Sequence, residues 1–304
     1  MKIKLSGFIL LFILLVGFYL LAGNPSLHIL QQIRIPRLML TFISGFILGG
    51  VGYSFQILLN NPLAEPYILG ISSGAGFGSI LAVTLGLFVL MPVSGFVFAL
   101  LTMYFVWKIA HLQGFFSKTR LILAGIIVGM FFSALISLLI YLNQQEIGSI
   151  LQILMGNLGR IFSVSEWRYF VIIFIFAIGL MLYLFSLSQK LNILTTGDLI
   201  SESLGIDVRK LRKKIFIIAS LLTAITVSYA GIIGFVGLVV PHIIRLMFPG
   251  NNKYNIVLAA FGGAFFLISC DIIAARISVV SLPVGIITAF IGSPFFLYIM
   301  IKSR

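Results

Sequence analysis

The ionisable side chains of this sequence are few and scattered, and none of the usual catalytic patterns is present. The chain has seven acidic residues and three histidines. No His-x-x-x-His, Gly-x-Ser-x-Gly or phosphate-binding Gly-x-x-x-x-Gly-Lys-Ser/Thr pattern occurs. The one cysteine, Cys270, rules out a disulfide framework and a cysteine metal cluster. We therefore predict that the chain has no catalytic residues, binds no metal or cofactor, and cannot hydrolyse ATP by itself.

Asp271 is the one acidic residue that falls inside a predicted membrane span. Proton-coupled transporters carry ionisable groups near the centre of the bilayer, and a single carboxylate is little material for a relay. Arg276 follows Asp271 by five residues. We predict an ion pair between these two side chains near the outer end of one helix, with a proton relay as the alternative.

Three arginines are expected on the outer face of the membrane, against the general distribution of charge. They are Arg34 and Arg37, which flank an Ile-Pro pair, and Arg276. Basic side chains in this position could attract an acidic partner protein and steer its docking. The alternative is that they reach up to lipid headgroups.

The longest polar stretch between predicted spans lies at about residues 190–214. Asp198 is a candidate N-cap, Glu202 lies in the following turn, and Gly205 is a candidate C-terminal stop. The pattern predicts a short helix on the cytoplasmic face, followed by a basic run that anchors the next span. A plain connecting loop is the alternative.

Small residues recur at four-residue spacing in the fifth predicted span, at Gly125, Gly129, Ser133 and Ser137. This spacing lets helices pack closely. The same stripe would suit the wall of a path for a bulky solute, so both interpretations stay open.

The elements that position these residues are membrane helices. Hydrophobic residues make up 61% of the chain, charged residues 9%, and the mean hydropathy is +1.20. About a quarter of a globular chain is normally charged, so the surroundings must be lipid. Continuously apolar runs indicate helices rather than a barrel. We predict an all-α polytopic membrane protein with about ten transmembrane helices in a single domain, residues 1–304. The predicted spans are residues 5–22, 36–59, 68–88, 91–110, 119–142, 166–188, 213–231, 235–247, 254–276 and 283–301.

The basic residues predict the orientation. With both termini in the cytoplasm, most of the 20 Lys and Arg residues fall in cytoplasmic segments, as the positive-inside rule requires. The formal charge of +13 is explained by this placement beside the membrane. No aromatic–basic RNA-binding pattern is present, so we predict lipid as a partner and no nucleic acid.

The order of short motifs resembles the FecCD family of binding-protein-dependent permeases, which import iron–siderophore complexes, haem and vitamin B12. The most specific motif is residues 234–245. The others are residues 34–37, Gln56, 61–66, 69–75, Gly197-Asp198 with Leu204-Gly205, 271–276, 282–285 and 292–296.

The resemblance implies a type II ABC importer permease fold and alternating access in the cytoplasmic (inner) membrane. It also implies a homodimer with the path at its interface, two cytoplasmic ATP-binding subunits that use ATP and magnesium, and an external substrate-binding protein. Arg34, Arg37 and Arg276 would meet glutamates of that protein. The residues expected to couple to the ATPase are Gly197, Asp198, Ser201, Glu202, Leu204, Gly205 and Ile206.

The sequence leaves the cargo open. Iron–siderophore is the commonest cargo of the family and is the leading expectation, with haem and cobalamin as alternatives. A secondary transporter that needs no ATPase is the alternative of a different class.

Overall fold

The regular structure is helical throughout the residues described by the computed structural model, which are 2–112, 117–249, 254–277 and 281–302. This confirms the predicted all-α class. The α-helices of these residues are α1 Lys2–Leu21, α2 Leu27–Ile29, α3 Ile35–Leu59, α4 Ile71–Thr84, α5 Met91–Ala110, α6 Lys118–Leu142, α7 Ile147–Met155, α8 Val164–Ser186, α9 Ser188–Leu194, α10 Asp198–Ser203, α11 Val208–Ala230, α12 Val236–Met247, α13 Asn255–Ala274 and α14 Val284–Lys302.

Ten of these helices carry the ten predicted spans. Six are apolar and long enough to cross a bilayer, and four are apolar but shorter. The total within the described residues nevertheless exceeds the predicted count of about ten, because α2, α7, α9 and α10 lie in the connections. Hydropathy does not reveal such elements, since they have only three to nine residues.

The centre of the bundle is the pair formed by α3 and α13, whose backbones touch. Added Cβ atoms at Gly45 and Gly49 of α3 would collide with the carbonyl oxygens of Gly263 and Ala259. Small residues therefore permit this approach, as they do in other membrane bundles. α11 is also largely buried, whereas α5, α6 and α8 expose most of their apolar side chains at the periphery.

Two helices are too short to cross the bilayer, and the backbone before each is irregular. α4 has 14 residues and α12 has 12, or about 21 and 18 Å at the usual rise. A 3₁₀ turn, Pro66–Leu69, precedes α4, and residues 231–235 precede α12. The Tyr67 hydroxyl accepts a hydrogen bond of 3.1 Å from the Ile233 N–H, and Gln56 Nε2 donates one of 3.1 Å to the Gly237 carbonyl. Tyr67 thus satisfies a backbone N–H in the break before α12, and Gln56 satisfies a carbonyl that Pro241, which has no N–H, leaves without its helical donor.

Phe235, at the start of α12, has an unusual backbone. Its φ of +69° lies in the left-handed region, which bulky residues rarely adopt. Gly292 of α14 lies against its ring, where an added Cβ would stand 2.5 Å from the Phe235 Cβ. Phe235 is therefore packed closely against α14 at the start of α12.

Candidate coupling helix and outer arginine cleft

The predicted short helix in the polar stretch exists and is α10. Its residues, Asp198–Ser203, follow Gly197, whose φ is +110°, and Gly205, whose φ is +81°, stands just beyond its C-terminal end. The Gly205 N–H donates to the Glu202 carbonyl at 2.9 Å, and the Ile206 N–H donates to the Ser201 carbonyl at 3.0 Å. These two bonds form a Schellman motif, which confirms Gly205 as the stop. The N-cap position is occupied by Gly197, so the prediction that Asp198 caps the helix is wrong.

Asp198 instead anchors α10 to the neighbouring span. Its Oδ1 lies 2.5 Å from Nη2 of Arg212 on α11. This hydrogen bond holds the pKa of Asp198 below its usual value. Ser201 is buried, and its Oγ donates to the carbonyls of Gly197 at 2.7 Å and Ile193 at 3.1 Å. α10 is therefore fixed to both α9 and α11.

The opposite face of α10 presents apolar side chains. Leu199, Ile200 and Leu204 are 84%, 52% and 62% exposed, and Glu202 is exposed beside them. These residues lie outside the spans, where lipid does not explain the exposure. A cluster of exposed apolar side chains of this kind marks an interaction surface.

The three arginines expected on the outer face line one cleft of about 780 Å³, between the end of α1 and the end of α13. Arg276 is exposed, and its guanidinium lies 4.4 Å from the centre of the Phe18 ring. Arg34 Nη1 donates to the carbonyls of Leu20 and Ala22, both at 2.7 Å. Arg34 therefore satisfies carbonyl groups that the end of α1 leaves without helical partners.

Arg37 is the partner of the buried Asp271. Its Nη2 and Nε donate to the two carboxylate oxygens at 2.7 and 3.0 Å, and the Tyr19 hydroxyl donates at 2.6 Å. The predicted pair between Asp271 and Arg276 is therefore wrong. A residue five positions further along a helix points about 140° away. α13 also ends at Ala274, before Arg276 is reached.

The predicted path residues divide into two pairs along α6. Gly125 and Gly129 are buried, and a Cβ at Gly125 would lie 2.6 Å from the Cα of Leu69. Ser133 and Ser137 are exposed, and Ser137 Oγ donates to the Ser133 carbonyl at 3.0 Å. The glycines pack α6 against the turn before α4. Of the four, the serines alone lie on a surface that a solute or a second copy could reach.

Arg212 is the site residue that sequence reasoning missed. It is one of five basic residues between 209 and 214, and the run as a whole suggests a solvated anchor. Helical periodicity carries the missing signal, because Val208, Leu211 and Ile215 are buried and Arg212 lies on the same face. A basic residue on an apolar face needs an acidic partner, and Asp198 provides it.

Comparison with known proteins finds transport permeases that are similar to this chain over nearly its whole length. A model of the FecCD transport family matches residues 7–302. The cobalamin import system permease protein BtuC of Halobacterium salinarum is 35% identical, over 90% of this chain and 73% of its own. An iron chelatin transport system permease protein of Helicobacter pylori (strain J99) is also 35% identical, over 91% of this chain and 83% of its own.

A solved structure has the same fold. It is described as an inward-facing conformation of a metal-chelate type ABC transporter, and it covers 98% of both chains. Its TM-score is 0.86 and its sequence is 31% identical. The similarity to transport permeases therefore holds for the arrangement of the helices as well as for the sequence.

Proposed function

Because the chain belongs to the FecCD transport family, it is a permease component of an ABC importer, and we propose that it carries an iron–siderophore chelate across the cytoplasmic membrane by alternating access. Relatives named for iron chelatin and for cobalamin are equally similar to it. Cobalamin is therefore an alternative cargo, and haem, a further cargo implied by the family resemblance, is another. A binding assay on the cognate substrate-binding protein, with an iron–siderophore, haem and cobalamin as ligands, distinguishes the three.

The observation that carries the proposal is the exposed apolar face of α10. The chain has no phosphate-binding loop, so the energy must come from partner subunits that bind ATP and magnesium. Leu199, Ile200 and Leu204 offer those subunits a contact, while Asp198 and Ser201 fix the helix to the bundle. A rigid attachment of this kind would pass a closing motion of two ATPase subunits to the spans.

The remaining partners follow from the two exposed surfaces. A second copy of the chain would cover the apolar face of α6, with the path between the copies and Ser133 and Ser137 beside it. An external substrate-binding protein with acidic lobes would dock at the cleft of Arg34, Arg37 and Arg276. In this proposal both termini lie in the cytoplasm, which the distribution of basic residues favours.

The test is to purify the Leu199→Asp variant with its cognate ATPase subunits and to reconstitute it. We expect the ATPase to be lost from the complex and ATP-driven chelate uptake into proteoliposomes to stop, because a carboxylate replaces an apolar contact. Gln189→Asp, which adds the same charge at an exposed position of α9, is the matched control and should behave as the parent. If the chain alone accumulates the chelate without ATPase subunits, it is a secondary transporter and the proposal fails.

A further inference from the structure

A second polar cleft lies apart from both surfaces described above. Its volume is about 520 Å³, and it lies between the segment that joins α6 to α8 and the end of α11. Ligand sites for small molecules have volumes of about 300–1,000 Å³ and combine an apolar wall with a few polar groups. The polar side chains that line it are three serines, Ser79, Ser149 and Ser163, together with Gln152, Asn157, Arg160, Glu166 and Tyr229. With the orientation proposed above, the cleft opens on the outer side.

Arg160 is the cation of this cleft, and it is only partly satisfied. Its Nη2 lies 2.6 Å from Glu166 Oε1, and its guanidinium lies 5.8 Å from the centre of the Phe162 ring. Nη1 is buried and has no hydrogen-bond acceptor among the described residues. A buried donor on a charged group is unfavourable without an acceptor, so the protein leaves one binding position of this side chain unfilled.

Glu166 cannot fill that position as well. Its Oε2 accepts hydrogen bonds from the Ser163 backbone N–H at 3.0 Å and from Ser163 Oγ at 2.9 Å, in a capping box at the start of α8. Nearby, the Gln152 side-chain oxygen accepts from Asn157 Nδ2 at 2.9 Å, so the Gln152 amino group is left to donate elsewhere. The cleft therefore contains an arginine and an amide that can both donate to an external oxygen.

We propose that this cleft binds the acidic group of an anionic metal chelate, a carboxylate or a comparable oxyanion, through Arg160. An arginine beside a carboxylate oxygen is the usual recognition of such a group. A small turn of the partly exposed guanidinium would bring Nη1 to the cleft, where a charge-assisted hydrogen bond would give it the acceptor that it lacks. The concave shape and the small volume favour a small molecule over a protein surface. The inference rests on the proposed function and narrows the cargo to chelates with acidic groups.

Citrate, a tricarboxylate, is the probe for the test, and Trp167 is the reporter. The Trp167 ring lies 5.8 Å from the Phe162 ring that contacts Arg160. Because the chain has two tryptophans, Trp107→Phe in the full-length protein leaves Trp167 alone. In detergent, we expect citrate to change the Trp167 emission saturably. We expect no response to triethyl citrate, the uncharged ester, or to sodium chloride at equal ionic strength.

Further substitutions in the Trp107→Phe protein test whether Arg160 is the residue that binds citrate. Arg160→Gln should weaken citrate binding about tenfold or more, since a charge-assisted hydrogen bond is lost. Arg168→Gln removes the same charge from an exposed neighbour and should leave binding unchanged. If Arg160→Gln does not fold, Glu166→Gln replaces it, and removal of the competing carboxylate should tighten binding about threefold or more.

Two results overturn the inference. One is an unchanged citrate affinity in Arg160→Gln or, where that variant does not fold, in Glu166→Gln. The other is an equal response to triethyl citrate or to sodium chloride. The titration needs neither nucleotide nor ATPase, so its failure leaves the importer proposal intact. Failure of the reconstituted uptake would likewise leave the titration standing.

Discussion

Two arginine–aspartate pairs join helices at opposite ends of the molecule, and they differ in which partner is buried. The outer pair is named for the side proposed to face outward, and in it Asp271 is 1% exposed and Arg37 is 18% exposed. The inner pair is named for the proposed cytoplasmic side, and in it Arg212 is 9% exposed and Asp198 is 45% exposed. In the outer pair, the side chains of Arg37 and Tyr19 both donate to the buried Asp271 carboxylate, so this pair is part of the packed interior. The inner pair attaches a surface helix to the bundle. The comparison teaches that the outer pair should dominate stability and the inner pair should dominate coupling.

The largest expected effect comes from breaking the outer pair with Asp271→Ala. Removing one member of a buried ion pair leaves an unpaired charge and destabilises a protein by about 3–5 kcal/mol. The Tyr19 hydroxyl would lose its acceptor as well. Unfolding of the purified chain in detergent, followed by tryptophan fluorescence, measures the loss. If the free energy of unfolding falls by less than about 1 kcal/mol, the outer pair contributes no more than a surface ion pair, and it does not differ from the inner pair in stability.

A smaller effect is expected where α10 ends, in Gly205→Val. The φ of Gly205 is +81°, and an added Cβ would meet no atom within 4 Å, so the penalty is one of backbone conformation alone. Such strain amounts to about 1–3 kcal/mol. We expect ATP hydrolysis to continue while chelate uptake falls, because the strained turn would shift Leu204 and the C-terminal end of α10 away from the partner subunit. Gly205→Asn is the control, since asparagine tolerates this region better, and equal uptake in both variants would contradict the explanation.

The inner pair itself should contribute less than about 1 kcal/mol, because Asp198 is half exposed to solvent. The folded pKa of Asp198 is depressed by the Arg212 hydrogen bond. Its contribution is therefore present above the ordinary aspartate pKa of about 3.9 and is lost as the pH falls through the lower folded value. Thermal unfolding between about pH 2 and 6 should show this acid loss in the parent and not in Asp198→Asn. A parallel pH dependence in the two proteins would show that the pair does not carry it.

The smallest effect on stability is expected for Arg276→Gln, because Arg276 is exposed and has an aromatic contact in place of a carboxylate. This variant should instead slow docking of the acidic substrate-binding protein, with a difference that shrinks at high salt. Surface binding at two ionic strengths measures it. Arg37→Gln, the matched variant, should resemble Asp271→Ala in its loss of stability. If Arg276→Gln unfolds as easily, the outer arginines do not divide into a packing residue and an exposed one.

Local sequence patterns predicted the membrane spans well. They could not predict contacts between residues that are far apart in the sequence. Hydropathy predicted the ten spans, and the glycine after α10 predicted where that short helix stops. Both signals come from residues that are close together in the sequence. The partner of Asp271 lies 234 positions away in sequence, and spacing along one helix suggested Arg276 instead. The sequence did not single out Arg160 as a site residue. The lack of an acceptor for its Nη1 can be seen only in the structure, where Glu166 is already bonded to Arg160 Nη2 and to Ser163.

The joint between the two broken spans constrains how this sequence can vary. The Tyr67 hydroxyl accepts from the Ile233 N–H, and the Gln56 side-chain amide donates to the Gly237 carbonyl. The break before α4 therefore supplies a side chain that satisfies a backbone group in the break before α12. If the segment before α4 became a continuous helix, the break before α12 would be left with an unmet N–H in a hydrocarbon environment. The break before α12 should accordingly be inherited only together with the break before α4.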